Sequence, residues 1–516
     1  MPGFRQKVAG FIQKLANPPD PSAAPPSKSG SYEQKKSPQT RSSDFFIQKY
    51  LTEQENGRTE PKIVHGRTPG QLPPSAIGPL SRPVLSAMTG PCGGLTTVNK
   101  KRRHLSISDP DVRFIDTADE ESPPGTKDAN SNTSTVNCNL LPTSPAPLQK
   151  CESTPNATGY TRVCPGDPVA GVVDWDKPTP TAYGKSVSLY ERHPVTGVPA
   201  GEPIADCFAV VAREDSAILV LADGVNWGAK ASLAARAAVH GCVDYLNQAL
   251  YNHKLSSTTD AFVALLRSFN AAHNLILEEN GMLTTLTAVL ILPLIAPRRY
   301  VACACNVGDS LAYVFSHKHG VREITQGSHD VHRMRDMRDA LGALGPVDGT
   351  NPELANLTCA MTELDPGDIV FITSDGVSDN LDPVVGKFTG LNGVLAEQRH
   401  KLGLLRTEDL LRNGVSGKGP PVKSARALTD LMIDFVTRLT SAKRHLLEDA
   451  DLYPPTSNPE VNPESLSMSL HKQVSPGPLM FSSAVFEVAC ELILIISLRY
   501  FLKNDVTHSR RPSQLW

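Results

Sequence analysis

Between residues 183 and 447, short apolar runs alternate with longer segments of helical pattern. The short runs are rich in β-branched residues and are bounded by Gly, Asp, Asn or Pro, which is typical of strands. Several of them follow one another without an intervening helix, so antiparallel hairpins fit better than a Rossmann alternation. We predict strands at 207–212, 217–222, 286–292, 300–306, 311–315 and 369–373, and helices, from apolar residues spaced three to four apart, at 229–250, 259–279 and 429–448.

The flanking regions have a different texture. Residues 17–180 are mainly Pro, Ser, Thr, Asn and Gly with few aromatics, so they cannot bury enough apolar surface to offset an ordering entropy of about 1–2 kcal/mol per residue. We therefore predict a disordered leader over 1–180, a folded domain over 181–450, and a low-complexity linker with an apolar C-terminal helix over 451–516.

Two short segments of the predicted leader differ from it in composition. Apolar residues between Phe4 and Leu15 recur at helical spacing beside basic residues, which predicts a short amphipathic helix. Such a helix folds back onto the main domain or merely frays, or alternatively it docks to a partner or rests on a membrane surface, and its shortness favours the first interpretation. The basic run 100–103 is a solvated linker or, as the alternative, an import signal or kinase site.

The apolar run at 484–502 is nearly long enough to cross a bilayer. Glu487, Glu491 and Arg499 oppose this, because a charge near the membrane centre costs about 2.5–3.5 kcal/mol. A buried or partner-facing helix is the preferred interpretation, and a tail anchor is the alternative.

Overall composition excludes several classes of protein. A net charge of -2 over 516 residues gives no global field for nucleic acid. The 10 cysteines contain no CxxC pair, which argues against a zinc module. No secretory signal is apparent at the start, so we expect an intracellular protein, cytoplasmic or nuclear, with free thiols. Cys303 and Cys305 are expected to fill core space.

Acidic turns that follow apolar strands are the candidate chemistry. An Asp in a single turn of this kind usually has only a structural role in the turn. Several strand-end carboxylates in one domain, however, can converge and hold hard divalent cations. Oxygen ligands suit Mg²⁺ or Mn²⁺, and two such ions can activate water for attack on a phosphoryl group. The turns are Asp223-Gly224, Gly308-Asp309 and Asp375-Gly376, joined by Asp206 and Asp379.

The ordered segments DCFAVV, LVLADGVNWG, TTLTAVLI, CNVGDSLAYV and VFITSDGVSDNL resemble the PPM family, the metal-dependent type 2C protein serine/threonine phosphatases. The resemblance spans residues 206–381, about a third of the chain. It implies an αββα sandwich of two antiparallel sheets flanked by helices, with a site for two Mg²⁺ or Mn²⁺ ions. It also implies a phosphoprotein substrate or protein partner, and we expect a monomer without nucleic acid.

The resemblance implies roles for individual residues. Asp223 would bridge both ions, and the Gly224 carbonyl and Asp375 would complete part of the shell, with Asp206 also in the metal set. Asp309 and Asp379 would lie near an accessory ion.

The departures are as informative as the matches. Val225 stands where the family has the histidine thought to protonate the leaving group, and loss of a general acid typically costs about 10²- to 10⁴-fold. Ala205 stands where the family usually has an acidic residue. Gly201 stands where the family's phosphate-binding arginine would fall, and Arg213 does not align with that position. The chain after about residue 475 lacks the family's last metal aspartate, which suggests an ending without the closing strand.

Two hypotheses remain open. The chain is either an active phosphatase with an altered acid and phosphate clamp, or a pseudophosphatase that binds or scaffolds, and the listed losses slightly favour the second. Trp227 beside the metal loop either packs on the fold or shapes a substrate lip. His329, His332 and the arginine-rich stretch 333–338 form a solvated surface helix or, as the alternative, bind phosphate or an acidic partner.

Overall fold

A computed structural model describes residues 60–91, 94–97, 169–194, 196–252, 255–296, 299–325, 342–382, 396–449 and 491–497. The predicted amphipathic N-terminal helix, the basic run 100–103 and the stretch 329–338 lie outside these residues. None of the helices within them is both long and apolar enough to cross a membrane.

Fifteen strands are present in the described part of the chain. They include the six predicted strands, whose bounds differ from the predicted ones by at most one residue. They are β1 (Val64–Gly66), β2 (Val84–Gly90), β3 (Asp176–Lys177), β4 (Ala182–Val187), β5 (Cys207–Arg213), β6 (Ala217–Ala222), β7 (Leu286–Pro293), β8 (Tyr300–Val307), β9 (Leu311–Ser316), β10 (Gly320–Glu323), β11 (Ala343–Asp348), β12 (Asn351–Glu353), β13 (Thr358–Leu364), β14 (Ile369–Thr373) and β15 (Glu491–Ser497).

The helices in the described residues include the three that the sequence predicts and two shorter helices that it does not predict. They are α1 (Ala229–Asn252), α2 (Thr258–Glu279), α3 (Asp375–Leu381), α4 (Ala396–Asn413) and α5 (Ala425–Leu447), with 3-10 turns at Pro69–Gln71 and Gly94–Thr97. Ser257 caps the start of α2 by accepting a hydrogen bond from the Asp260 backbone, and Asn280 ends it in the left-handed conformation.

The strands form two large antiparallel sheets and one hairpin. The first sheet runs β1-β13-β8-β7-β6-β5-β2-β3, the second runs β10-β9-β14-β15-β4, and β11 pairs with β12. Helices α1 and α2 cover the first sheet, and α3, α4 and α5 cover the second. This is the predicted αββα sandwich.

The position of strand β6 between the helices and the second sheet explains why its sequence is apolar without interruption. Ile218, Val220 and Ala222 face the helices, whereas Leu219 and Leu221 face the second sheet, because successive side chains point to opposite faces. A strand covered on both sides has no polar face. Cys303 and Cys305 on β8 are likewise fully buried and free, as expected for core thiols.

The prediction of a disordered leader over 1–180 is wrong for residues 60–91 and from residue 169 onward. Strand β1 pairs with β13, and β2 lies between β5 and β3 in the first sheet. These strands gain their burial from partners about 90 residues away or more, which local composition cannot reveal.

The predicted C-terminal helix at 484–502 is wrong for residues 491–497, which form strand β15. Its sequence ELILIIS is rich in isoleucine, which favours strands, and it pairs with β14 on one side and β4 on the other. The suggestion that this ending lacks the closing strand is therefore also wrong. No aspartate lies in β15, whose first residue is Glu491.

Candidate functional site

Asp206 and Asp223 lie at the same end of the first sheet. Strand β5 begins with Cys207, directly after Asp206, and β6 ends with Ala222, directly before Asp223. Cys207 and Ala222 are direct partners in the antiparallel pair. The hairpin register therefore places the two aspartates side by side.

Asp309 and Asp375 lie together at one end of the second sheet by the same geometry. Thr373 at the end of β14 pairs with Leu311 at the start of β9. One residue, Ser310, separates Asp309 from the start of β9, and one residue, Ser374, separates the end of β14 from Asp375, which begins α3. The two sheets thus bring a pair of aspartates each to the site.

The register of the two sheets and the charges that act on Asp206 and Asp223 place the four aspartates near one another. Burial raises the pKa of Asp206 well above its ordinary value, and the charges of Asp375 and Asp309 raise it further. Burial also raises the pKa of Asp223, followed by the charges of Asp206, Asp375 and Asp309. Asp223 and Asp375, far apart in sequence, thus lie near enough for the charge of Asp375 to raise the pKa of Asp223. Their shared coordination of one cation stays a prediction.

These raised pKa values oppose folding of the metal-free protein at neutral pH. A carboxyl group whose pKa is higher in the folded than in the unfolded chain stabilises the fold below its ordinary pKa. That contribution is lost as the pH rises through the raised pKa of Asp206 and Asp223. A bound cation would offset the repulsion that causes the loss.

The donor set fits a hard divalent cation. Both carboxylate oxygens of Asp206 are buried without a hydrogen-bond partner, although Asp223 and Ser374 lie close enough to lower its pKa. A buried carboxylate without donors is costly unless a cation compensates it. Within the described ranges no three His, Cys, Asp or Glu side chains are already arranged to hold a metal ion, so the aspartates would have to close around one.

A cluster of hydroxyl groups fixes the backbone of Asp223. The Asp223 N–H donates to Thr285 Oγ1 at 3.0 Å, and the Thr284 hydroxyl donates to the Asp223 carbonyl at 2.8 Å. Thr285 Oγ1 lies 3.0 Å from Ser310 Oγ, next to Asp309. These hydroxyls tie the turns of the two sheets together. The sequence motif TTLTAVLI contains the two threonines, but their positioning role is visible only in the structure.

Gly224 is required by close approach of the backbone. A Cβ atom at this position would lie 2.6 Å from the Ala231 carbonyl oxygen and 2.8 Å from that of Ala205. Only glycine therefore lets the turn after Asp223 fit between helix α1 and the strand-entry loop.

Asp379 is placed differently from the other predicted residues. It lies on α3 and lines a cavity on the helix-covered face of the second sheet, beside Tyr313. It is not among the main causes of the raised pKa of Asp206 or Asp223. Its assignment to an accessory ion stays a prediction.

The position expected to carry an arginine has no room for a side chain. Gly201 has a φ of 70°, and a Cβ there would lie 2.2 Å from the ring of Tyr190. That ring stacks on Trp227 with centroids 5.8 Å apart. Arg213 does not replace the arginine, because it is buried and donates to Asn247 and to the carbonyl of Ala170.

Comparison with known proteins agrees with this geometry. A family model described as Protein phosphatase 2C matches residues 198–406. A PP2C-like domain-containing protein of Drosophila melanogaster, CG9801, is 35% identical over 638 residues, covering 88% of each chain.

Solved structures with a similar fold include bacterial phosphatases. The phosphatase domain of SpoIIE from Bacillus subtilis is 13% identical, with 64% of this chain and 97% of that chain covered and a TM-score of 0.30. The serine/threonine phosphatase PstP/Ppp of Mycobacterium tuberculosis is 21% identical, with 47% and 95% covered and a TM-score of 0.28. With a relative that matches almost end to end and a fold of two helix-flanked sheets, the chain belongs to the PP2C-like family.

Proposed function

We propose that this protein is a divalent-cation-dependent phosphatase that hydrolyses phosphoserine and phosphothreonine esters on proteins, with a slow chemical step. The observation that carries this is the set of four converging aspartates, two from each sheet, in which burial and the charges of the neighbouring aspartates raise the pKa of Asp206 and Asp223. Such a cluster destabilises a metal-free fold, and it is readily explained if the site binds cations. The family supplies the substrate class.

The chain's own residues would divide the work as follows. Asp223, Asp375 and the Gly224 carbonyl would hold Mg²⁺ or Mn²⁺, with Asp206 and Asp309 beside them. The bound cations would supply Lewis acidity for the attack of water on phosphorus. Thr284 and Thr285 fix the backbone of Asp223 through their hydroxyls, so the turn that carries the carboxylate is held in place.

The slow chemical step follows from the lack of a proton donor in the side chain of residue 225. The Val225 backbone N–H donates to the Leu283 carbonyl at 2.9 Å, so the loop is anchored. The Val225 side chain, however, has no ionisable proton that it could donate to the leaving group. The leaving alkoxide must then take its proton from water. This lowers the rate without removing the metal-dependent step.

A scaffold role is the second candidate. Val225 in place of the acid and the lack of room for an arginine at Gly201 both favour it. In that case the cleft would bind a phosphoprotein without turning it over. The two candidates differ in turnover, and both permit binding.

The test uses the full-length chain, Mn²⁺ and a phosphothreonine peptide. We expect slow phosphate release in the wild type and loss by at least about 10²-fold in Asp223→Asn. Calorimetric Mn²⁺ titration should show binding to the wild type that is weakened in the variant, which separates metal binding from turnover.

Asp434→Asn is the matched control, because Asp434 lies on α5 and pairs only with Arg438 on the surface. It should bind Mn²⁺ and release phosphate like the wild type. Metal binding without any phosphate release in the wild type would support the scaffold instead. Absence of metal binding would contradict the proposed site itself.

A further inference from the structure

An aromatic pair that the proposed attack of water does not use lies beside the aspartate cluster. The rings of Tyr190 and Trp227 stack with centroids 5.8 Å apart and an interplanar angle of 2°. Trp227 is four residues after Asp223. Tyr190 packs against Gly201, which is five residues before Asp206. The pair therefore joins the two loops that lead to the aspartates of the first sheet.

Backbone hydrogen bonds hold the two loops that carry the aromatic pair. Just before Trp227, the Val225 N–H donates to the Leu283 carbonyl at 2.9 Å. The loop of the tyrosine closes on itself, since the Ala200 N–H donates to the Glu191 carbonyl at 3.0 Å. A ligand that contacts the pair therefore meets a surface that is already ordered, which lowers the entropy cost of binding.

The aromatic pair is also reachable from solvent. Tyr190 and Trp227 are both only partly buried, and Asn226 beside the tryptophan is exposed. Apart from its neighbours in the chain, a Cβ atom added to Gly228 would meet no atom of the described residues within 4 Å, so space is open next to Trp227. An aromatic surface at the edge of a polar site is suited to stack against a planar group of a ligand.

The loop that carries Trp227 offers no proton to a leaving group. Residues 224–229 read GVNWGA, so they contain neither a titratable side chain nor a positive charge. Residues 201–205, which read GEPIA, add neither lysine nor arginine. The organic part of a substrate therefore meets an aromatic surface here, and its oxygen departs without a proton from this loop.

The chemistry of the leaving group decides how much the lack of a proton donor lowers the rate. An aliphatic hydroxyl is about as weak an acid as water, whose pKa is about 15.7, so a serine or threonine alkoxide leaves poorly without a donor. A phenol has a pKa of about 10, so a phenolate leaves far more readily. The lack of a donor therefore slows hydrolysis of an aryl ester much less than that of an alkyl ester.

We propose that the site prefers aryl phosphate monoesters, of which phosphotyrosine is the form carried by proteins, over alkyl ones. Water forms a bond to phosphorus, the bond from phosphorus to the aryl oxygen breaks, and its electron pair goes to that oxygen. The attacking water releases a proton, and the phenolate takes one from solvent, so the products are a phenol and inorganic phosphate. The ring of the ester stacks on Tyr190 and Trp227. This inference rests on the proposed function, in which phosphoserine and phosphothreonine remain slow substrates.

The experiment measures kcat and KM of the full-length chain with Mn²⁺ on phenyl phosphate and on two peptides of one sequence, with phosphotyrosine or phosphothreonine. The variants are Trp227→Leu, Tyr190→Leu and Val225→His. Tyr183→Leu is the matched control, because Tyr183 is also partly buried but lies on β4, beside the guanidinium of Arg426. Cooperative unfolding and Mn²⁺ titration show that each variant is folded and binds the cation.

In the wild type we expect kcat/KM for the phosphotyrosine peptide to exceed that for the phosphothreonine peptide by about 10²-fold, the lower end of what a general acid contributes. Trp227→Leu and Tyr190→Leu should lower kcat/KM for the aryl esters by about 3- to 10-fold, mainly through KM, and leave the phosphothreonine peptide unchanged. Val225→His should narrow the ratio, because a proton donor assists mainly the poorer leaving group. A peptide that exceeds phenyl phosphate indicates a protein substrate, and equal values indicate a small aryl ester.

The proposal is overturned if the wild type cleaves the phosphothreonine peptide at least as fast as the phosphotyrosine peptide. It is also overturned if Trp227→Leu and Tyr190→Leu leave the aryl esters unaffected, or if Tyr183→Leu lowers their kcat/KM as much. In these cases the proposed function still stands if Asp223→Asn abolishes phosphate release. If the wild type hydrolyses none of the three esters, the proposed function and this inference fail together.

Discussion

At the scale of single residues, the site differs from its family pattern mainly at Val225. The loop around it is anchored by its backbone, since the Val225 N–H donates to the Leu283 carbonyl and Gly224 bridges to Thr284. The change is therefore confined to the side chain. A substitution there tests the missing proton donor without disturbing the turn.

Val225→His should increase turnover of a phosphothreonine peptide with Mn²⁺ by about 10²-fold, because general acid catalysis typically contributes 10²- to 10⁴-fold. The kcat of the variant should acquire a decline above about pH 6.5, where the imidazole loses its proton. Steady-state kinetics from pH 5.5 to 8.5 measure this. Val225→Asn, which adds polarity without a titrating group, should leave kcat unchanged, and an equal gain in that control would contradict the explanation.

At the scale of secondary-structure elements, the β11–β12 hairpin supports the site from outside. Thr284, whose hydroxyl holds the Asp223 carbonyl, pairs with Leu344. The next residue, Gly345, donates its N–H to His273 Nδ1 on α2 at 3.1 Å, and His273 Nε2 lies 2.9 Å from the Thr350 carbonyl oxygen. One imidazole thus joins α2 to strand β11 and to the turn that follows it.

Burial lowers the pKa of His273 below its ordinary value. Its contribution to stability is therefore present above about pH 6.5 and is lost as the pH falls through the lowered pKa, by up to about 1.4 kcal/mol per pH unit. Urea unfolding of the wild type should show this loss between pH 7.5 and 5.5, and His273→Gln should reduce the slope. His445→Gln, at an exposed position on α5, should keep the wild-type slope; an unchanged slope in His273→Gln would contradict the assignment.

At the scale of the whole molecule, segments remote in sequence complete both sheets. Strand β2 is an inner strand of the first sheet, and β15 lies between β14 and β4 in the second. Residues 84–90 and 491–497 are therefore part of the domain. The predicted boundaries of 181–450 leave out strands that the sheets require.

Removal of residues 475–516 should abolish cooperative folding, because it leaves β14 and β4 without their shared partner. Exposed strand edges of this kind favour aggregation. Soluble yield and thermal circular dichroism check the outcome. Removal of residues 1–59, which contain none of the described elements, should preserve the unfolding transition. A soluble 1–474 chain with the full-length melting temperature would show that β15 is dispensable.

The central strands were predictable because each carries its own signal. The runs at Ala217–Ala222 and Ile369–Thr373 are apolar on both faces and end at acidic turns, so the pattern gives both their bounds and the aspartates that follow. Strands β1, β2 and β15 were missed because their pairing partners are distant. A short strand is stable only in the context of the sheet that it joins.

The sequence by itself determined the composition of the core, the antiparallel order of the central hairpins and the identity of the acidic turns, since these depend on local periodicity. Tertiary structure alone decided that Asp206, Asp223, Asp309 and Asp375 meet, that Tyr190 excludes a side chain at Gly201, and that Asp379 faces a separate cavity. Those outcomes depend on how two sheets stack and which segments pair across long separations. Their energies come from contacts that no local window of sequence contains.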